Sequence, residues 1–420
     1  MTPQTMDDWV RTEAMTNSRP EKLTLIADPT PDSLFCPIYS VDDHVLEPPS
    51  LFEGRLPARL QDGAPYVTKA DNGLPLWVID GVGWPVTMAN GAAGVETSEW
   101  GFYCIGFDEL RPGVTDPKAR LHDMDLGGVW ASLCFGSIIW GFAGTRLSKM
   151  SDQDVGLASL KAYNDWMIEE WCSVAPDRYI PCQLPWMTDP DTAAAEIRRN
   201  AERGYRAVSF SENPEGLGFP NIYDRYWDPF FVACQDTETV VNLHVGSSGN
   251  TRRPSSSSPS DVSVALFPVS GLEALIDWIY AGVPTRFPQL KIALSEAGVS
   301  WVPMALERLR RAYDHDVGRD WPQGSPPPEE LVRRNFFFCS IEDPSAFRLL
   351  DLIGEDNVMV ETDFPHFDTT WPGCQDMVRK QLRSLQPTVI RKLCFANAAR
   401  LYRMALPPPD LVARSEVGNS

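Results

Sequence analysis

Short apolar runs alternate with amphipathic segments along most of the chain. The amphipathic segments carry apolar residues at helical spacing, and the runs between them are rich in β-branched and aromatic residues. The predicted strands cover residues 38–41, 129–135, 179–184, 206–210, 239–243, 291–295, 335–339 and 357–361. The main predicted helices cover residues 157–172, 192–203, 272–281, 302–313, 345–353, 375–385 and 387–403. Eight strands alternating with helices predict an α/β fold, a parallel (β/α)8 barrel over residues 37–405.

Several stretches fall outside this repeat. Residues 1–36 are polar and punctuated by proline, which predicts an N-terminal arm or an oligomer contact. Residues 51–117 form an insertion after the first strand. Its turn signals Asp71-Asn72-Gly73 and Asp80-Gly81, beside short β-rich runs, predict a β-hairpin lid. Residues 406–420 are predicted to be a C-terminal tail.

The insertion and one loop provide candidate substrate-binding residues. Residues 246–258 are rich in glycine and serine and begin two residues after His244, which is typical of an active-site loop. The aromatic residues of the insertion could cap the barrel mouth or form the insertion's own small core. The loop arginines could bind an anionic substrate group or be solvated. The candidates are Trp77, Trp84, Trp100, Arg252 and Arg253.

Charge and cysteine content exclude several classes of protein. The formal charge of −20 and a pI near 4.7 leave no basic stripe for a phosphate backbone, so we expect no nucleic-acid partner. The nine scattered cysteines include no C-x-x-C pair, which argues against a disulfide framework and favours the reducing cytoplasm. Neither a leader sequence nor an apolar run of roughly 18 residues is visible, so we expect no membrane association. We expect a homodimer that acts on a small-molecule substrate.

Histidine and carboxylate side chains stand where the predicted barrel strands end. His44 follows the first strand, His244 closes the fifth, and Asp363 and His366 follow the eighth. Because parallel strands end at the same face of a barrel, these residues converge although they are far apart in sequence. Imidazole and carboxylate groups at strand ends are typical of metal sites. The pattern predicts a metalloenzyme.

Seven segments in order resemble the amidohydrolase-related family, in the branch that contains the aminocarboxymuconate-semialdehyde decarboxylase-like enzymes. They are residues 41–48, 120–125, 227–229, 244–246, 295–298, 361–366 and 397–402. The resemblance implies a distorted TIM barrel with a metal at its C-terminal mouth. It places the metal ligands at Asp42, His44, His244 and Asp363. Asp42 departs from the histidine or glutamate usual in the family, although it can still coordinate a metal.

A second departure bears on the chemistry. Where the sixth strand of these relatives ends in a histidine, this chain has Glu296. Together with His366, the predicted mouth then holds three imidazoles and three carboxylates, enough for two metal ions. Such a set favours iron or manganese over structural zinc. The candidate catalytic residues are Glu296, Asp363 and His366, although Glu296 could instead orient a ligand and His366 could cap the following loop.

Three functional interpretations remain open. The sequence narrowly favours a nonheme dinuclear-iron monooxygenase that hydroxylates a largely apolar substrate under the aromatic lid. Both the histidine-to-glutamate exchange at position 296 and the apolar lid favour this chemistry. Diiron monooxygenases on an amidohydrolase-like barrel are known in bacterial diterpenoid pathways, and the chain is similar in architecture. The alternative is a metal-dependent hydrolase or nonhydrolytic decarboxylase of a small carboxylated substrate, with zinc or manganese in place of iron. A noncatalytic binding protein is the third interpretation.

Overall fold

The computed structural model describes residues 12, 14–249, 252–255, 257–315 and 319–418. Its strands are β1 Ile38–His44, β2 Tyr66–Lys69, β3 Pro75–Ile79, β4 Val82–Pro85, β5 Val129–Phe135, β6 Tyr179–Gln183, β7 Ala207–Phe210, β8 Val240–His244, β9 Ile292–Ser295, β10 Phe336–Ser340 and β11 Val358–Val360. Eight of them form one parallel sheet in the order β1-β5-β6-β7-β8-β9-β10-β11. The predicted barrel is therefore confirmed.

Helices connect the strands of the barrel. They are α1 Pro117–Gly127, α2 Thr145–Ser148, α3 Gln153–Trp166, α4 Pro190–Glu202, α5 Asp228–Asp236, α6 Ser260–Ala265, α7 Phe267–Tyr280, α8 Val283–Arg286, α9 Val302–His315, α10 Pro328–Asn335, α11 Leu350–Ile353, α12 Cys374–Leu382, α13 Pro387–Arg391, α14 Asn397–Leu401 and α15 Pro409–Arg414. Three predicted helices are less regular than expected. π-Helical turns occupy Met167–Trp171 and Lys392–Ala396, and a 3-10 turn at Ala346–Arg348 precedes the short helix α11. None of the helices in the described ranges is long and apolar enough to cross a bilayer.

The barrel closes between β1 and the residues that follow β11. The backbone N–H of Asp363 donates to the carbonyl of Asp42 at 2.9 Å, and that of His44 donates to the carbonyl of Phe364 at 2.6 Å. β1 runs three residues further than predicted and includes His44. Because side chains alternate along a strand, Asp42 and His44 share one face. Closure therefore brings this face against Asp363.

The insertion contains the predicted hairpin. β3 and β4 pair antiparallel, and Asp80 and Gly81 form their turn with φ angles of 51° and 75°. Positive φ at both turn positions suits the twist of a two-residue hairpin, which explains the Asp-Gly pair. β2 adds a third strand that the sequence did not predict. The result is a small antiparallel sheet beside the barrel.

The later part of the insertion, rather than its hairpin, reaches the barrel mouth. The N–H of Ala93 donates to the carbonyl of Pro365 at 3.1 Å, and the rings of Phe102 and Phe367 lie 5.2 Å apart. The N-terminal segment packs on the same part, because the N–H of Ile26 donates to the carbonyl of Gly94 at 2.9 Å. Residues 1–11 and 13 of the predicted arm and 419–420 of the predicted tail lie outside the described residues.

Asp43 holds the closing seam together. Its buried carboxylate accepts hydrogen bonds at 2.5–3.0 Å from the hydroxyls of Ser40, Ser132 and Thr362 and from the N–H of Phe364. These donors belong to β1, to β5 and to the residues after β11. One side chain therefore joins three neighbouring segments of the barrel.

We expect Asp43→Ala to lower the free energy of unfolding by about 3–5 kcal/mol, because several buried donors lose their acceptor. Urea denaturation of metal-free protein measures the change without a contribution from metal binding. Asp320→Ala, at an exposed position, is the control and should change stability by less than about 0.5 kcal/mol. Equal stability of the two variants would contradict this role of Asp43.

Candidate metal centre

Four predicted ligands meet inside the mouth of the barrel. The Nε2 atom of His44 lies 3.1 Å from Asp42 Oδ1, 3.3 Å from Asp363 Oδ1 and 3.2 Å from His244 Nε2. Two ligand atoms that each lie about 2.1 Å from one ion are about 3.0–3.4 Å apart in octahedral or tetrahedral geometry. The observed spacing therefore fits a shared metal ion. We call these four residues the ligand quartet.

His366 and Glu296 lie at the edge of the ligand quartet. His366 Nδ1 is 3.5 Å from Asp363 Oδ1, and its ring stacks on that of His44 with centroids 3.6 Å apart. Glu296 Oε2 is 3.4 Å from His244 Nε2. His44, Asp363 and His366 form a second group with metal-ligand spacing, beside the group of Asp42, His44 and His244. All six predicted metal residues thus belong to one cluster.

The two central imidazoles face each other through their Nε2 atoms. Nδ1 of His244 lies 2.7 Å from the carbonyl of Val245, and Nδ1 of His44 lies 3.4 Å from that of Gly136. These carbonyls accept from Nδ1–H, which assigns the lone pair to Nε2 in a neutral ring. Burial lowers the pKa of His44 to about 3 and that of His244 to about 4, so neither ring is protonated at neutral pH. Two lone pairs then point at one space, as a cation requires.

The carboxylates of the ligand quartet are buried without hydrogen-bond donors. Neither oxygen of Asp42 and neither oxygen of Asp363 has a hydrogen-bond partner among the described residues. Burial raises the pKa of Asp42 to about 6 despite the neighbouring His244. Burial and the nearby carboxylates raise the pKa of Asp363 well above its usual value. Unpartnered buried carboxylates are costly, and a bound divalent cation would relieve that cost. The residues present therefore fit a metal.

Backbone strain occurs beside the ligands. Asp363, Glu296 and Phe142 have φ angles of 48°, 58° and 53°. Non-glycine residues in the left-handed region cost of order 1–3 kcal/mol and often occur at functional sites. The Phe142 ring stacks on His244 with centroids 4.1 Å apart and covers one face of it. The fold thus fixes both the direction and the shielding of the ligands.

Sequence reasoning missed three residues of this region. Glu361 is fully buried, and its Oε2 accepts the N–H of Glu296 at 3.2 Å. Its position two residues before Asp363 could have indicated a shared strand face. Glu212 lies after β7, and burial raises the pKa of Glu296 with a smaller contribution from the charges of several carboxylates, including that of Glu212. Phe142 has no comparable sequence signal, because only the folded chain brings it to His244.

The three candidate substrate-binding tryptophans of the insertion lie in different surroundings. Trp77 is fully buried against Trp140, with ring centroids 5.1 Å apart, so it belongs to the core under the hairpin. The Trp84 ring lies 3.7 Å from the guanidinium carbon of Arg146. Trp100 is near the mouth, 5.8 Å from the ring of Phe367.

The two loop arginines lie away from the ligand quartet. Arg252 forms an ion pair with Glu273 at 2.8 Å, and Arg253 donates to the carbonyl of Ser258 at 3.0 Å. Both are exposed and line a groove beside the mouth. The loop residues Asn250, Thr251 and Ser256 lie outside the described residues.

The amidohydrolase family matches residues 143–404, and the chain belongs to this family. It is 25% identical to the 2-amino-3-carboxymuconate-6-semialdehyde decarboxylase of Dictyostelium discoideum over 62% of this chain and 69% of that protein. It is 24% identical to a 2-keto-4-carboxy-3-hexenedioate hydratase of a Sphingobium strain over 50% of this chain and 59% of that one. It is 25% identical to the gamma-resorcylate decarboxylase of Rhodococcus jostii over 67% of this chain and 85% of that one.

Solved structures share the fold. An amidohydrolase of Mycobacterium avium subsp. paratuberculosis has a TM-score of 0.69 at 21% identity and covers 88% of this chain and 100% of its own. A dihydroxybenzoic acid decarboxylase of a Polaromonas species, with bound manganese, has a TM-score of 0.59 at 16% identity and covers 87% of this chain and 96% of its own. Fold, family and cluster together define a metal-dependent enzyme of the amidohydrolase superfamily. These relatives support the decarboxylase alternative better than the diiron monooxygenase that the sequence favoured, and they give iron no specific support.

We expect His44→Ala and His244→Ala each to weaken divalent-metal binding by about 100-fold or more while the far-UV circular dichroism stays unchanged, because each removes one lone pair from the quartet. Titration of chelator-treated protein with manganese, followed by metal analysis, measures the change. His122→Ala, at an exposed histidine on α1, is the control. Full metal binding by either variant would contradict the ligand assignment.

Asp363→Asn preserves the shape of the side chain but removes its charge. We expect at least a tenfold weaker metal affinity, because a neutral amide oxygen binds a divalent cation less tightly than a carboxylate. The same titration measures it. Unchanged affinity would show that Asp363 does not bind the ion directly.

Proposed function

We propose that the protein is a metal-dependent decarboxylase that removes carbon dioxide from a small carboxylated substrate without an oxidant. The spacing of the ligand quartet around one shared space is the observation that carries this proposal. Decarboxylation is also the activity for which two of the relatives above are named. The proposed substrate is a small organic acid whose carboxylate binds at the barrel mouth.

Asp42, His44, His244 and Asp363 would hold one divalent ion. Manganese is the first candidate because a decarboxylase of the same fold binds it, with zinc and iron as alternatives. The ion, when bound, supplies a positive charge that holds the substrate carboxylate and a neighbouring oxygen. Phe142 covers one face of His244, and the stacked rings of His44 and His366 cover another side of the space, which limits the entry of water.

We assign to Glu296 the role of donating the proton that replaces the carboxylate on the substrate carbon. Its side chain is 11% exposed, whereas those of Asp42 and Asp363 are fully buried, so a substrate in the mouth reaches Glu296 first. The bond between the substrate carbon and its carboxylate breaks, and the electron pair stays on that carbon. The carbon takes a proton from Glu296, carbon dioxide leaves, and solvent returns a proton to Glu296. The N–H of Glu296 is fixed by Glu361, which holds the strained backbone in place.

The position of His366 supports a second candidate function. His44, Asp363 and His366 form an overlapping group with metal-ligand spacing, and Glu296 Oε2 lies 3.4 Å from Nε2 of His244. Two iron ions that share a carboxylate in this cluster would make the dinuclear-iron monooxygenase that the sequence favoured. The two candidates differ in the number of bound ions and in the requirement for oxygen.

We expect manganese-loaded protein to release carbon dioxide under anaerobic conditions from gamma-resorcylate or from 2-amino-3-carboxymuconate-6-semialdehyde, the acids named for the relatives. Carbon dioxide is trapped and counted, and the remaining acid is measured by chromatography. The same protein treated with a chelator is the control. Loss of substrate without carbon dioxide would instead indicate hydration or hydrolysis, and a product that forms only with oxygen would support the monooxygenase.

Glu296→Gln separates the two candidate functions. If Glu296 supplies the proton, the variant keeps one bound ion and loses about 100-fold or more in turnover, because an amide cannot donate a proton in the same way. If Glu296 binds a second ion, the variant loses one of two equivalents of metal. Metal analysis and anaerobic turnover are measured on the same preparation, with Glu307→Gln, at an exposed position on α9, as the control.

A further inference from the structure

A large groove lies beside the metal cluster and is not used by the mechanism above. It has a volume of about 1090 Å³ and runs between the turns after β7 and β8 and helix α7. Glu212 and Ser248 line one end of it, Val269 and Ile276 line its α7 side, and Arg253 lies on its loop side. We call it the side groove.

The end of the side groove at Glu212 adjoins the metal cluster. Ser247, next to Ser248, donates its N–H to the carbonyl of His244 at 3.1 Å. Ser248 donates its hydroxyl to Glu212 Oε1 at 2.9 Å. The N–H of Glu212 donates to the hydroxyl of Ser247 at 3.0 Å. Hydrogen bonds therefore tie the lining of the side groove to the turn that follows the ligand His244.

The side groove is larger than a small acid needs. Pockets of roughly 300–1,000 Å³ enclose drug-sized molecules, whereas a single substituted ring or a six-carbon acid is far smaller. Val269 and Ile276 of α7 are half-buried and line this space. An apolar chain bound there would displace water from them. The size and the lining indicate an elongated ligand with an apolar body.

The charges along the side groove differ from one end to the other. Burial raises the pKa of Glu212 to about 8, so at neutral pH the inner end presents a mostly uncharged carboxylic acid. Arg252 is paired with Glu273, and Asp277 accepts a hydrogen bond from the Tyr223 hydroxyl at 2.6 Å. Among the described residues, Arg253 forms no ion pair and donates only to a backbone carbonyl.

The remaining acidic groups limit where an anion can bind. Glu215 and Asp277 place two further carboxyl groups along the side groove. The side groove therefore favours an anion beside Arg253. A ligand with charge in its middle would meet apolar side chains and these carboxylates instead.

We propose that the side groove binds the remote part of an elongated substrate, an acid whose apolar body lies along α7 and whose far end carries a second anionic group beside Arg253. The proposal rests on the proposed function, because it places the first carboxylate of that acid at the ligand quartet. It extends that function by naming the substrate class as long-chain or multi-ring diacids rather than single-ring acids.

Binding of a homologous series to manganese-loaded full-length protein tests the proposal. The probes are hexanedioate, octanedioate, decanedioate and dodecanedioate, with dodecanoate as the acid that lacks the second anion. We expect the affinity measured by calorimetry to rise at least tenfold from hexanedioate to dodecanedioate, because each buried methylene contributes favourably. Equal affinity across the series would overturn the proposal.

Two variants locate the effect in the side groove. Val269→Trp fills the groove from the half-buried side of α7, and it should abolish the gain with chain length. Arg253→Ala should weaken dodecanedioate by about three- to fivefold, the size of an exposed ion pair, and leave dodecanoate unchanged. Arg308→Ala, at an exposed arginine on α9, is the control. Unchanged dodecanedioate binding by both groove variants would overturn the proposal.

The same titrations separate this proposal from the proposed function. Hexanedioate binding that is equally strong with and without manganese would contradict binding of the carboxylate at the metal, whatever the chain length does. A chain-length effect that persists in that case would still support the side groove. Metal-dependent binding without a chain-length effect would leave the decarboxylase proposal intact and remove the groove proposal.

Discussion

Closure of the barrel between β1 and the residues after β11 is the constraint on which the rest of the molecule depends. The backbone hydrogen bonds between Asp42 and Asp363 and between His44 and Phe364 complete the barrel. The same two contacts bring the carboxylates of Asp42 and Asp363 to the imidazole of His44. Asp43 lies between them in sequence but points to the other side of the strand, where it holds the seam by hydrogen bonds alone. Alternation along one strand thus separates the structural carboxylate from the metal-binding ones.

This arrangement couples folding to metal binding. The buried carboxylates of Asp42 and Asp363 accept no hydrogen bond from the residues that the structure describes, so without a cation the folded protein holds groups that water would solvate better. A cation that binds only the folded protein stabilises it in proportion to its concentration over its dissociation constant. The strained backbone at Asp363 and Glu296 is tolerated for the same reason. Stability and function therefore share one set of interactions.

The sequence predicted those features that repeat and those that lie at strand ends. All eight barrel strands were recognised because buried parallel strands are short and apolar, and the strand-end positions of His44 and His244 then followed from the topology. The sequence could not predict how side chains pack between distant segments. Trp77, a candidate for substrate binding or for the insertion's own core, lies against Trp140 in the core, and Phe142 reaches His244 from a loop without a distinctive pattern. Position 296 was recognised only because the resemblance led us to expect histidine there.

The net charge of the metal cluster relates each candidate function to the number of ions that the cluster binds. Four carboxyl groups, those of Asp42, Glu296, Glu361 and Asp363, lie within a space that burial makes unfavourable for anions. A single divalent ion balances two of them, so the other two must keep their protons for the cluster to be neutral. Two divalent ions would balance all four without any proton. An enzyme that must deliver a proton to carbon benefits from the first arrangement, whereas one that binds two irons needs the second. The glutamate at position 296 is compatible with both, because it adds a group that either carries a proton or binds a cation, whereas the histidine expected there from the family resemblance would carry no negative charge.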